Sequence, residues 1–134
     1  MEAKATLKNC PLSARKMRFV IKNVRGKGVD EALNILKFTK NEAAEWAEKV
    51  LLSAIANWEN KLDMAYSAED HDLFVKLALV NEGSTLKRFR PAPHGRAHRI
   101  RKRMNHLTLV VSNRVEIDET VKEEVVEAEN NNEE

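Results

Sequence analysis

The spacing of apolar residues changes period several times along the chain, and each change marks an element. Residues 3–9 alternate Ala3, Ala5 and Leu7 with Lys4, Thr6 and Lys8, the two-residue period of a half-buried strand. Pro11 ends that strand, and Ser13 stands where a helix N-cap is needed. From Ala14 to Val24, Met17, Val20, Ile21 and Val24 fall at i, i+3, i+4 and i+7, while Arg15, Arg18, Lys22 and Arg25 recur on another face. Gly26 and Gly28 are expected to close this helix, because glycine takes the left-handed C-cap conformation without a Cβ clash. A short helix is predicted from about Asp30 to Phe38. Thr39 and Glu42 have capping-box spacing, which predicts that Thr39 starts a third helix running to about Asn60. Its apolar stripe is Ala43, Ala47, Val50, Leu51, Ala54 and Trp58, widened by Trp46 and Ile55.

After a polar connection (Lys61 to Asp72), Leu73 to Val80 reads as a largely apolar strand. A further strand runs from His106 to Val111, with Leu107, Leu109 and Val111 pointing one way. The pattern predicts an α+β fold, a small globular domain of three helices on a three-stranded antiparallel sheet. Between its last two strands lie residues 81–105, too long for an ordinary loop in a compact domain. Leu86, Arg88 and Arg90 interleave with Lys87 and Phe89, and Ile100, Lys102 and Met104 interleave with Arg99, Arg101 and Arg103. Pro91, Pro93 and Gly95 cluster midway. The expected structure is a β-hairpin extending out of the domain, with its tip near 91–96. Eighteen steps from Leu73 to Pro91, at about 3.3 Å each, span about 60 Å, against a radius of gyration of about 13 Å for a compact domain of ~100 residues.

Charge turns this oddity into a functional expectation. The chain has 23 Lys+Arg and 21 Asp+Glu, a formal net charge of only +2, but the charges are segregated. Residues 1–28 carry eight basic and one acidic, 29–82 five and eleven, 83–115 nine and none, and 116–134 one and nine. An isolated two-stranded ribbon is marginal in water, and one crowded with cations needs a polyanion to order it. Nucleic acid meets that need through phosphate contacts. No helix-turn-helix, zinc-finger or RNA-recognition aromatic signature is present, so phosphate contact and shape recognition are expected rather than base reading. Phe89 is the one ribbon side chain suited to stacking, and it could equally pack on the opposite strand.

Other classes are disfavoured. No apolar run approaches the ~20 residues needed to cross a bilayer. Cys10, the one cysteine, allows neither an internal disulfide nor a cysteine-rich metal site, so a reduced cytosolic setting is expected. His94 and His98 are four apart, but on a glycine-containing loop with Arg96 between them, which argues against a cation. Asp70–His71–Asp72 has no paired nucleophile, and no glycine-rich phosphate loop occurs. No catalytic residue, metal or cofactor is assigned, and the chain is not expected to be an enzyme.

Gly83-Ser-Thr-Leu-Lys-Arg-Phe-Arg-Pro91, Gly95-Arg-Ala-His-Arg-Ile-Arg-Lys-Arg103 and His106-Leu-Thr-Leu-Val-Val-Ser112 resemble the C-terminal hairpin of the bacterial large-subunit ribosomal protein family numbered twenty-two. Leu12-Ser-Ala-Arg-Lys-Met-Arg18, Ile21 to Gly26, Glu31-Ala-Leu33, Ile35-Leu-Lys-Phe-Thr39 and Ser53-Ala-Ile-Ala-Asn57 match its N-terminal half in order. The resemblance covers about residues 4–114. It implies a structural constituent of the large subunit in the cytoplasmic ribosome, which supports assembly and contacts ribosomal RNA and neighbouring ribosomal proteins. It implies RNA contacts at Arg15, Lys16, Arg18, Lys22 and Arg25 in the globular part, and at Lys87, Arg88, Arg90, Arg96, Arg99, Arg101, Lys102 and Arg103 in the ribbon. Pro91, Ala92, Pro93, His94, Gly95 and Arg96 would form a tip that lines the nascent-peptide exit tunnel. No membrane association or stable homo-oligomer is expected.

Two departures stand out. Where the family commonly has Pro-Arg-Ala-(Arg/Lys)-Gly, this chain has Pro91-Ala-Pro-His-Gly95, and Gly-Arg-Ala-Asp-Arg becomes Gly95-Arg-Ala-His98-Arg. The tip is therefore expected to be less cationic and stiffer. Residues 115–134 form an acidic tail, expected to be disordered; it is either inert or a decoy that shields the ribbon before RNA is met. The competing functional classes are a DNA-bending architectural protein, which also uses basic ribbons with a proline near the tip, and a regulatory RNA-binding module working off the ribosome.

Overall fold

A computed structural model describes residues 1–61 and 72–114. The element order is β1 (Glu2–Cys10), α1 (Ala14–Ile21), α2 (Val29–Phe38), α3 (Glu42–Lys61), β2 (Leu73–Pro91) and β3 (Ala97–Asn113). The strands form one antiparallel sheet in the order β1-β3-β2, the α+β arrangement that the periodicity predicts. The polar connection after α3 and the acidic tail lie outside the described residues.

The core lies between one face of the sheet and the three helices. Ala3 and Ala5 of β1, Val75 and Val80 of β2, and Leu107, Leu109 and Val111 of β3 meet Met17, Val20 and Val24, Ala32 and Leu36, and Ala47, Leu51, Ala54 and Trp58. Asn57 Nδ2 donates to the Lys4 carbonyl at 3.1 Å and Lys61 Nζ to that of Glu2 at 2.9 Å, tying α3 along β1. Lys76 bridges to the Glu2 carboxylate, and this contact holds the Glu2 carboxyl below its ordinary pKa. Burial pushes the Cys10 thiol up, so the neutral form is the one that packs.

Three irregularities adjust the sheet. In β2 the buried positions run Leu73, Val75, then Ala78, Val80, because a bulge between Val75 and Leu77 flips the alternation. In β1 the register shifts between Leu7 and Cys10, with Asn9 at φ 57°; its N–H donates to His106 Nδ1 at 3.0 Å. The third lies between Glu82 and Thr85, where Gly83 and Ser84 oppose Met104. A Cβ at Gly83 would come within 3.2 Å of the Met104 main-chain carbon and oxygen, and the paired strand cannot yield as a side-chain tip would. Gly83→Val is therefore expected to destabilise the domain by about 1–3 kcal/mol, measured as a lower urea midpoint at unchanged slope.

Helix ends depart from expectation at two places. Thr39 does not start α3. It is the C-cap of α2, with its hydroxyl donating to the Ile35 carbonyl at 2.6 Å. Asn41 caps α3 instead, its Oδ1 accepting from Ala43 N at 3.1 Å; both residues are good caps, and the chain uses the later one because α2 extends to Phe38. Regular α1 ends at Ile21 rather than Val24, and residues 22–26 continue as turns that still bury Val24. Gly26, at φ 80°, ends them, and its N–H donates to the Val75 carbonyl at 2.9 Å. Gly28 does not close that helix; it precedes α2 as its N-cap and bridges Phe74.

Candidate nucleic-acid interface

Pairing of β2 with β3 continues past the core. Thr85 faces Arg103, Leu86 Lys102, Lys87 Arg101, Arg88 Ile100, Phe89 Arg99, Arg90 His98 and Pro91 Ala97. Directly opposed residues share a face. Lys87, Phe89, Arg99, Arg101 and Arg103 therefore lie on one face, and Leu86, Arg88, Arg90, His98, Ile100 and Lys102 on the other. No side chain from Ser84 to Arg103 is buried. Phe89 is 73% exposed opposite Arg99, so it does not pack on the opposite strand.

At the tip, His94 and Gly95 have φ of 59° and 69°, the paired positive values of a type I′ turn, whose twist suits a tight hairpin. Arg96 N donates to the Pro93 carbonyl at 3.5 Å and Ala92 N to that of Arg96 at 2.9 Å. Histidine is tolerated in this conformation better than most side chains. Ala92, Pro93 and Gly95 supply no charge, which leaves Arg96 as the one formal cation between Pro91 and Ala97.

β3 changes character without changing phase. Val111, Leu109 and Leu107 face the helices, Asn105 continues that side, and Arg103, Arg101 and Arg99 follow at the same two-residue spacing. The helix-facing side of the sheet thus becomes cationic beyond α1. A cleft of about 310 Å³ joins Ser13 and Arg15 to Glu82, Thr85 and Arg103. A second, of about 460 Å³, joins Leu12 and Lys16 to Arg101, Lys102 and Arg103. Arg15 and Lys16 are thus brought to the ribbon base. Lys87, Arg88, Arg90, Arg96 and Arg99 lie further out and line neither cleft, and Arg25 sits on the turns after α1, exposed and apart from both.

Arg18 has an additional task. Its Nε and Nη2 both donate to the Val80 carbonyl, at 3.2 and 3.0 Å, so it clamps α1 to β2 and keeps only part of its donor set for a ligand. Ion pairs among the described residues are Lys27–Glu31, Lys76–Glu2 and Arg114–Asp72, and none engages the cations singled out above.

Sequence reasoning missed two residues that shape this surface. Asn105 is fully buried and its Nδ2 donates to the Leu12 carbonyl at 2.8 Å, fixing the β1–α1 turn against the ribbon base. The signal was a polar residue in phase with Leu107, Leu109 and Val111. Glu82 lines the smaller cleft together with Arg15 and Arg103; only the fold brings these three together.

The family model for ribosomal protein L22p/L17e matches residues 5–112, a span that includes α1, both faces of the ribbon and the tip. Curated relatives named large ribosomal subunit protein uL22 are similar over about four fifths of this chain. That of Christiangramia forsetii is 59% identical over 107 residues, 80% of this chain and 78% of the relative. Those of Flavobacterium psychrophilum, 56% identical over 80% of this chain and 77% of the relative, and of Bacteroides fragilis, 54% over 82% and 79%, agree with it. The motifs that carried the sequence resemblance lie inside the matched region, and the chain belongs to the ribosomal protein L22p/L17e family.

Proposed function

We propose that the ribbon inserts into large-subunit ribosomal RNA, with α1 and the ribbon base seated on the same RNA. Membership of the family makes the chain a structural constituent of the large ribosomal subunit, a non-enzymatic component of the bacterial cytoplasmic ribosome. The observation that supports RNA insertion is the placement of cations on both faces of the paired strands, Lys87, Arg99, Arg101 and Arg103 on one and Arg88, Arg90 and Lys102 on the other. A ribbon lying on a flat surface has use for one charged face; a ribbon surrounded by phosphates uses two. Its sites are the residues named above, Arg15, Lys16, Arg18, Lys22 and Arg25 with Lys87, Arg88, Arg90, Arg96, Arg99, Arg101, Lys102 and Arg103. In this reading the domain runs through residue 114, and like charge disfavours contact between phosphates and residues 116–134, with nine acidic side chains and one basic.

Co-sedimentation tests this against a DNA-bending role. Native complex is expected to travel with large subunits, to disperse on ribonuclease treatment and to resist deoxyribonuclease. Loss on deoxyribonuclease treatment, or a large free pool, would refute it.

The Pro91–Arg96 turn is the part assigned to the nascent peptide, as a tunnel-wall element with one formal cation. Compared with the family's usual tip, Ala92 and His94 remove positive charge while Pro93 restricts the approach to the turn. Restoring Arg at 92 and Lys at 94 is expected to change stalling by arrest-type nascent peptides in ribosomes carrying the variant. Unchanged stalling across several such peptides would sink the assignment.

A further inference from the structure

α1 buries Ala14, Met17, Val20 and Ile21 and turns Arg15, Lys16, Arg18, Phe19 and Lys22 outward. Phe19 is 71% exposed, although it lies in a helix whose core stripe is already complete without it. A single exposed apolar side chain needs no explanation by itself, but the surroundings of this one are specific. It lines a surface groove of about 670 Å³ together with Arg15, Lys16, Arg18, Lys22 and Asn41, and no carboxylate lines it. Arg18 is held at this groove by its bonds to the Val80 carbonyl. Asn41 has its Oδ1 committed to the α3 cap, so it faces a ligand chiefly as an amide N–H donor.

The groove therefore combines one flat apolar face with a rim of cations and donors. An apolar protein side chain set on Phe19 would desolvate that rim without satisfying it. An acidic peptide would satisfy the rim and leave the ring unmatched. A nucleotide supplies both parts, a base to stack on the ring and a phosphate for the cations around it. We infer that Phe19 is a stacking platform for one unpaired nucleobase of the bound RNA, with Arg15, Lys16 and Lys22 holding the flanking phosphates. This rests on the RNA-binding reading above and adds to it a base contact in the globular part, where sequence alone suggested phosphate contact only.

Filter binding of the full chain to full-length large-subunit RNA across a salt series tests the inference. Phe19→Ala and Phe19→Leu are each expected to weaken binding about 5- to 150-fold at every salt concentration, the range for loss of one base–aromatic stack. The slope of log affinity against log salt should not change, because no phosphate contact is removed, and Phe19→Trp should bind at least as well as the native chain. Arg15→Ala should instead flatten the slope by nearly one contact. All four substitutions are at exposed positions, and unchanged melting temperatures will show that folding is intact. Native-like binding by Phe19→Leu would mean an apolar contact without stacking and would overturn the inference, as would native-like binding by Phe19→Ala. If Arg15→Ala still flattens the slope in either case, the RNA-binding reading stands without the stack. If neither Phe19→Ala nor Arg15→Ala has an effect, α1 is not an RNA surface at all.

Discussion

Replacing Arg99, Arg101, Lys102 and Arg103 together with alanine is expected to weaken binding to large-subunit RNA by about 10²–10³-fold near 0.15 M salt. Each phosphate neutralised by a cation contributes nearly one counterion to the salt dependence, so losing four should reduce the slope by roughly three to four. The four residues lie consecutively or alternately on β3, three of them lining the clefts below α1 and all of them exposed. None takes part in an ion pair among the described residues. The folded domain should tolerate the change, and reduced mutual repulsion between Lys87 and Arg101, directly opposed across the strands, should make the free ribbon slightly more ordered. Affinity and stability are thus predicted to move in opposite directions. Parallel measurement of the salt slope and the melting temperature checks this, and a variant that loses both would indicate that the four residues serve the fold instead.

The largest effect on folding is expected at Trp58. It is fully buried, is the largest such side chain, and stands near the end of α3 in the layer between that helix and the sheet. Trp58→Ala removes most of an indole from the packed core that it shares with Ala54, Leu51 and the β3 leucines. Truncations of this kind cost about 3–5 kcal/mol, a large share of the 5–15 kcal/mol typical of a domain. The melting temperature should fall by roughly 15–30 °C. Trp46, half-buried with Lys49 Nζ 5.4 Å from its ring centroid, offers the internal comparison. Trp46→Ala should cost distinctly less, and equal losses at the two positions would refute this placement of the core.

Much of this organisation was legible from residue spacing. The stripe of α3 and the alternation of β1 depend on local periods that burial then selects. The ribbon was legible because alternation persists through residues too polar for any core, broken once by the Pro91–Gly95 cluster. What escaped detection depends on distant partners. Thr39 and Asn41 are both competent caps, and which one serves depends on where α2 stops. The phase flip at Lys76 has no local signature, since Phe74, Val75, Leu77 and Ala78 are all apolar enough for either face. Arg18 looked equivalent to Arg15 along the helix, yet its guanidinium bonds a carbonyl 62 positions away. The same limit hid which cations share a face of the ribbon. The Gly83–Ser84 bulge shifts β2 against β3, and only pairing reveals that Lys87 and Phe89 of β2 share the face on which Arg103, Arg101 and Arg99 continue the side of Leu107 and Leu109.

The strand order also sets a schedule for folding during synthesis. β3 is the middle strand, hydrogen-bonded to both others, yet it is the last element of the described chain. β1 is made first and its partner residues lie about a hundred positions later, Ala3 against Val111 and Leu7 against Leu107. At about 5–20 residues per second of translation, β1 waits some 5–20 s before it can pair. Throughout that interval Ala3 and Ala5, the α1 stripe and the Trp58 side of α3 have no sheet to close on. The N-terminal half can form helices but cannot complete a core, so the domain closes in one late step when β3 emerges. A chain truncated before Asn105 should therefore remain unfolded rather than form a smaller stable unit.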